Sequence, residues 1–161
     1  MTPALLAAAA AVLDRLRAAG MTVATAESCT GGLIAAALTA IPGSSDVVEC
    51  GFVTYSNRAK SAMLGVDAGV IAADGAVSQP VALAMAAGGL ARSSAGVCVA
   101  VTGVAGPGGG SLDKPIGTVW FGLATRAGVI RTVRRVFPGD RAAVRNATVM
   151  HALRLLEEAC T

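Results

Sequence analysis

The sequence predicts a single α/β domain of three layers, a mixed sheet with helices packed over its faces. Three observations lead there. Strand-like and helical runs alternate along the first two thirds of the chain. Two strand-like runs then follow each other across Arg126-Ala127-Gly128, the pattern of a hairpin. The length, 161 residues, is that of one ordinary domain, taken as 1–161, able to bury roughly two thirds of its unfolded surface. Apolar residues make up 54% and aromatic residues only 3%, so the core must be aliphatic and rich in alanine.

Each element has its own signal. In residues 1–20, Leu5, Leu6, Leu13 and Leu16 alternate with Asp14, Arg15 and Arg17 as in an amphipathic helix, which Gly20 ends. This segment lacks a basic leader and is not read as a signal peptide. Residues 22–26 form a short β-branched run that reads as a strand. Ser28 and Thr30 then precede Gly31-Gly32 and the helical run LIAAALTAI, which Pro42-Gly43 stops. A second strand covers 47–55, and Ser56 or Asn57 caps a short helix that reaches Leu64. Ser78 caps a helix from Pro80, a favoured first-turn residue, to Arg92. The apolar run 97–101 is a buried strand. A glycine-rich segment, 102–115, leads into the hairpin strands 117–125 and 129–137. Pro138-Gly139-Asp140 introduces a last helix over 141–159.

The charge pattern excludes some functions. A net charge of +3, with basic residues spread along the chain, offers no basic stripe for nucleic acid, and it suits an anionic small molecule. Arg131, Arg134 and Arg135 are the densest basic group and are expected on a solvated strand face. Cys29, Cys50, Cys98 and Cys160 have neither metal-site spacing nor the density of a disulfide scaffold, which points to a reducing compartment. The single histidine, His151, excludes a His-rich metal cluster, and no metal or cofactor is expected. The uncharged stretches 28–45 and 93–112 approach the length of a membrane span, but Gly, Ser and Pro interrupt both. They read as buried segments, so no membrane is expected and the protein is placed in the cytoplasm.

Several residues carry candidate chemistry. Ser28 stands where a strand ends and a helix begins, among backbone N–H groups that can stabilise an oxyanion or a phosphate. The same position also suits a plain N-cap by Ser28 or Thr30. Cys29 is the competing nucleophile, because a thiol at a helix start is acidified. With no histidine near it in sequence, it ranks below Ser28. Lys60, one of two lysines, can serve as base if burial or a neighbouring charge such as Arg58, Arg141 or Arg145 destabilises its ammonium. Otherwise it is a solvated helix residue. Tyr55, the single tyrosine, joins Ser28 and Lys60 at one sheet edge only if the first two strands are neighbours. The segment 102–110 matches neither a P-loop nor a dinucleotide fingerprint, but its amides can still face an anion. Arg141 and Arg145, four apart, share one face at the start of the last helix and can grip a phosphate.

Taken together, the stretches AESCTGG (26–32), PGSS (42–45), GFVTYSNRAK (51–60), MLGV (63–66), GAVS (75–78), AVTGVAGPGGG (100–110), KPIGTVW (114–120) and FPGDRAAVR (137–145) resemble the CinA C-terminal domain family. That family includes free-standing nicotinamide mononucleotide deamidases. The resemblance implies hydrolysis of nicotinamide mononucleotide to nicotinic acid mononucleotide and ammonia, within pyridine nucleotide recycling. It also implies catalysis by Ser28, Lys60 and Tyr55, with Thr30, Gly31, Thr102, Gly103, Ala105, Gly106, Arg141 and Arg145 at the substrate. Expected partners are a small-molecule nucleotide and further copies of the chain, as a dimer or trimer. Two other readings stay open, a nucleotide-binding module without catalysis and an amidase acting on a different amide.

Overall fold

The computed structural model describes residues 1–128 and 130–160. Val129, expected to open the second hairpin strand, and Thr161 lie outside the described residues. The chain begins with α1 (Pro3–Ala18), β1 (Val23–Glu27) and α2 (Leu33–Thr39). A 3-10 turn, Ser44–Asp46, leads to β2 (Val48–Val53), followed by α3 (Asn57–Leu64), α4 (Ala68–Asp74) and α5 (Gln79–Ala91). The last elements are β3 (Val97–Gly103), β4 (Thr118–Thr125), β5 (Ile130–Val136) and α6 (Arg141–Glu158).

Local signals place most of these ends. The hydroxyl of Thr2 accepts the N–H of Leu5 ahead of Pro3. Ser56 does the same for Ala59, and Asp140 for Ala143. Ser78 stands at the start of α5, but its hydroxyl donates to the carbonyl of Gly75 and caps no helix amide. Helix α4 was not expected. Of its 7 residues only Ile71 is buried, so no apolar stripe marks it, and Asp67 opens it by accepting from Gly69 N–H.

The sheet runs β2-β1-β3-β4-β5, with β1 parallel to both β2 and β3 and with β4 and β5 antiparallel. It is therefore mixed, and helices cover both faces. Val97, Val99 and Val101 of β3, with Val119, Phe121 and Leu123 of β4, face a core shared with α1, α2 and α6. Cys98 and Ala100, with Ala24, Ala26 and Ala124, face α5 on the other side. The second face is built from small side chains, so α5 lies close to the strands. A Cβ on Gly122 would stand 2.2 Å from the carbonyl oxygen of Ala82. The alanine-rich composition is thus used to pack a helix tightly on a sheet. On β5, side chains alternate, so Arg131 and Arg135 share one face and Arg134 takes the other, which divides the group expected on a single face.

Strand order decides where a cleft opens. The chain leaves β1 toward β2 on one side and leaves β3 toward β4 on the other. A crevice therefore forms beyond the carboxyl ends of β1 and β3, the general location of ligand sites in open α/β sheets.

Candidate active site

The carboxyl end of β1 carries a turn, residues 28–32, whose polar groups are almost all engaged. Glu27, the last residue of the strand, is fully buried. One of its carboxylate oxygens accepts the N–H groups of Gly32 at 3.1 Å and Ile34 at 3.0 Å. The other accepts Ala35 N–H at 2.9 Å, and the hydroxyls of Thr30 and Thr25 donate at 2.6 and 3.3 Å. The cap of α2 is therefore Glu27, and the alternative in which Ser28 or Thr30 caps the helix is corrected. Glycine at 32 takes φ 98°, a conformation that side-chain-bearing residues seldom adopt, so no cap can come from that position itself.

From the other side α6 holds the same turn. Arg145 donates from Nε to the carbonyl of Cys29 at 3.2 Å and from a terminal nitrogen to that of Thr30 at 2.9 Å. Ser28 N–H donates to Val101 of β3, and Gly31 N–H to the Ser28 carbonyl. Among the described residues, the N–H groups of Cys29 and Thr30 have no backbone or side-chain acceptor other than the Cys29 sulfur itself.

This turn presents Ser28 to Lys60. Glu27 is in register with Val53 of β2, so the two strand ends are neighbours and the condition for convergence holds. From the start of α3, Lys60 folds back under the strand ends and is only 1% exposed. Its Nζ lies 2.9 Å from Ser28 Oγ, 2.9 Å from the Thr54 carbonyl and 3.4 Å from the Tyr55 carbonyl. Burial lowers the Lys60 pKa, and a small opposing effect comes from Cys29. The cause is desolvation, and Arg58, Arg141 and Arg145 are not among its sources. In a neutral amine the two backbone carbonyls would accept its two protons and leave its lone pair for the Ser28 hydroxyl.

The surroundings of Cys29 disfavour its thiolate. Burial, and then the charge of Glu27, push the Cys29 thiol up to about 11, the reverse of the acidification expected at a helix start. Glu27 occupies the amides of Gly32, Ile34 and Ala35, and the Cys29 N–H, Lys60 and Arg145 offset the rise only in part.

A cavity of about 210 Å³ contains Ser28, Cys29, Tyr55, Lys60, Thr102, Gly103, Ala105 and Arg141. Asn57, Ala76 and Val77 complete its wall, and these three were not anticipated. Ala76 is fixed there by the Thr102 hydroxyl, which donates to its carbonyl at 2.8 Å. The segment GAVS was visible in the sequence, but nothing local ties it to β3. A second cavity of about 620 Å³ adjoins the first, sharing Ala105 and Arg141 with it, and is lined further by Pro107, Ile116, Asp140 and Arg145. Cavities of this combined size accept a nucleotide-sized ligand.

Arg141 separates the two. It donates to the Gly106 carbonyl at 2.8 Å and to the Tyr55 hydroxyl at 2.7 Å. Tyr55 is 60% exposed, and its phenol meets Arg141 while its carbonyl meets Lys60. Thr30 is buried behind the turn, and a side chain on Gly31 would face Arg145. Of the residues expected at the site, Thr30, Gly31, Gly106 and Arg145 support its walls and do not line the smaller cavity.

Fold and site together define an α/β domain with a buried serine–lysine pair in the crevice at a strand crossover. More particularly, the chain belongs to the CinA C-terminal domain family, whose model matches residues 6–160. It is 52% identical over 141 residues to the nicotinamide-nucleotide amidohydrolase PncC of Escherichia coli K12, covering 88% of this chain and 86% of that protein. It is also 52% identical over 143 residues to a CinA-like protein of Akkermansia muciniphila, of which it spans only 34%. The crystal structure of the competence/damage inducible protein CihA from Agrobacterium tumefaciens superposes with a TM-score of 0.95 at 47% identity, covering 99% of this chain and 97% of that one. Among the described residues, no helix is long and apolar enough to cross a membrane.

Proposed function

We propose that the chain hydrolyses the carboxamide of nicotinamide mononucleotide, giving nicotinic acid mononucleotide and ammonia, a recycling step for pyridine nucleotides. The observation that carries this reading is the buried Lys60 Nζ, 2.9 Å from Ser28 Oγ. The name of the Escherichia coli relative, an amidohydrolase of nicotinamide nucleotides, supports the choice of amide.

In the proposed mechanism neutral Lys60 takes the proton of Ser28 as its oxygen attacks the carboxamide carbon. Within the turn, the N–H groups of Cys29 and Thr30 are the ones left to receive the negative oxygen, since Glu27 occupies those of Gly32, Ile34 and Ala35. Collapse of the intermediate breaks the carbon–nitrogen bond. The proton on Lys60 passes to the departing nitrogen, which leaves as ammonia. Water then attacks the ester on Ser28, Lys60 takes its proton, and that proton returns to Ser28 as the carboxylate is released. Tyr55, held by Arg141, orients the substrate at the cavity mouth or relays a proton there. The nucleotide body extends into the larger cavity beside Arg141 and Arg145. The active molecule is proposed to be a cytoplasmic dimer or trimer.

Incubating the purified protein with nicotinamide mononucleotide and measuring ammonia tests the reading directly. Stoichiometric release with nicotinic acid mononucleotide as co-product is expected. Tight nucleotide binding without ammonia would replace this reading with that of a binding module.

A further inference from the structure

On the reading that Ser28 is the nucleophile, we propose that Glu27 is its positioning residue, a buried carboxylate that fixes the turn so that Ser28 Oγ meets Lys60 Nζ. Placing a carboxylate where water cannot reach it is costly unless its lone pairs are satisfied. Here five donors satisfy them, from two hydroxyls and three helix amides. An ordinary cap for a helix of 7 residues would stand on the surface at the position before it. In this chain that position is glycine, and the cap comes from inside the sheet, on the residue bonded to Ser28.

Glu27 also reaches the other partner. Its backbone carbonyl accepts Thr54 N–H at 2.8 Å, and the Thr54 carbonyl accepts Lys60 Nζ at 2.9 Å. One residue is thereby joined to the serine by the chain, to α2 by its carboxylate, and to the lysine through Thr54. The fully buried side chain does not line the cavity, so Glu27 acts on the reaction only through the placement of Ser28 and Lys60.

Loss of a plain cap lowers stability and the folded fraction, and leaves the rate per folded molecule unchanged. Loss of a positioning residue lowers that rate. Glu27→Gln keeps the shape of the side chain, but turns one acceptor into a donor aimed at other donors. Thr30→Val removes a single donor from the carboxylate. The full-length variants are compared by ammonia release from nicotinamide mononucleotide, normalised to the folded fraction, with Ser28→Ala as reference. Glu27→Gln is expected to lower kcat roughly 100-fold with KM within about threefold, the effect of a misplaced reacting group. Thr30→Val is expected to lower kcat about tenfold on the same ground. The pH midpoint of kcat/KM moves in both, because Lys60 loses part of its contact with Ser28. Rates per folded molecule within about threefold of native, with the pH profile unmoved, would make Glu27 a cap and overturn the proposal. If Glu27→Gln fails to fold, Thr30→Val decides alone by the same criteria. Turnover by Ser28→Ala would overturn the nucleophile reading and this inference with it. An inactive Ser28→Ala beside native-like Glu27→Gln and Thr30→Val would overturn only the inference.

Discussion

Two loops meet at the cleft, and they are built in opposite ways. The turn after β1 is short and braced from both sides, Glu27 holding the amides of Gly32 and of the start of α2 and Arg145 the carbonyls of Cys29 and Thr30. The loop between β3 and β4 is long, glycine-rich and mostly exposed. It is tied down at a few points, among them Arg141 to Gly106, Lys114 Nζ to the Asp74 carbonyl and Arg134 to the Asp113 carbonyl. Under the proposed mechanism the contrast is a division of labour. Reacting groups must be held to within fractions of an ångström, whereas a loop that surrounds a substrate must admit and release it.

The comparison can be broken most severely at the turn. Ser28→Ala is expected to lower the rate by several orders of magnitude while leaving the melting temperature near native, because Ser28 caps nothing. Cys29→Ala should keep most of the turnover, since a thiol held up at about 11 is uncharged near neutral pH. The reverse result, read as ammonia release, would move the nucleophile to Cys29.

Next in size is the proposed base. Burial lowers the Lys60 pKa, so the neutral, competent form gains population as pH rises, and kcat/KM should climb to a plateau below the ordinary lysine value of about 10.4. Lys60→Arg keeps a cation but cannot give it up in this range, so its ammonia release should be nearly as low as that of Lys60→Ala. Substantial turnover by Lys60→Arg would reduce the lysine to an electrostatic ligand.

Stability sharpens the contrast between the two loops. Gly32→Ala places a side chain at φ 98°, 3.4 Å from Val53 Cγ2, and should cost about 1–2 kcal/mol in chemical denaturation. Gly108→Ala, in the long loop, meets nothing within 4 Å, and should stay within about 0.5 kcal/mol of native. Equal costs would mean that the long loop is braced as firmly as the turn.

The smallest effect is expected from Lys114→Ala. It releases the tie to α4, so KM should rise roughly threefold while kcat stays within about twofold if, as proposed, the loop holds substrate and does not perform the chemistry. A fall in kcat with unchanged KM would show that the loop acts on the reacting groups.

Much of this was legible along the chain. Continuous burial of β3 followed from its apolar run, the hairpin from Arg126-Ala127-Gly128, and the helix starts at Ser56 and Asp140 from local capping chemistry. Helix α4 escaped because its short run AGVIAAD buries Ile71 alone among its residues and so displays no apolar face. Ala76 and Val77 escaped because the Thr102 hydroxyl that fixes Ala76 lies 26 residues away. The one hint of Glu27 was an acidic residue at a strand end before a helix that has glycine in place of a cap.

The sequence by itself determined the elements, the small side chains on which α5 rests, and the residue types able to carry acyl transfer, because such signals act over one turn of helix or one strand. Only the tertiary structure decided which of these groups meet. Ser28 and Lys60 are 32 residues apart and meet because β1 pairs with β2. Arg145 reaches the turn across 116 residues because α6 packs on the face that carries α2. The acidity of Lys60 and of Cys29 is likewise a matter of burial, which depends on every element packed around them and on no short stretch of sequence.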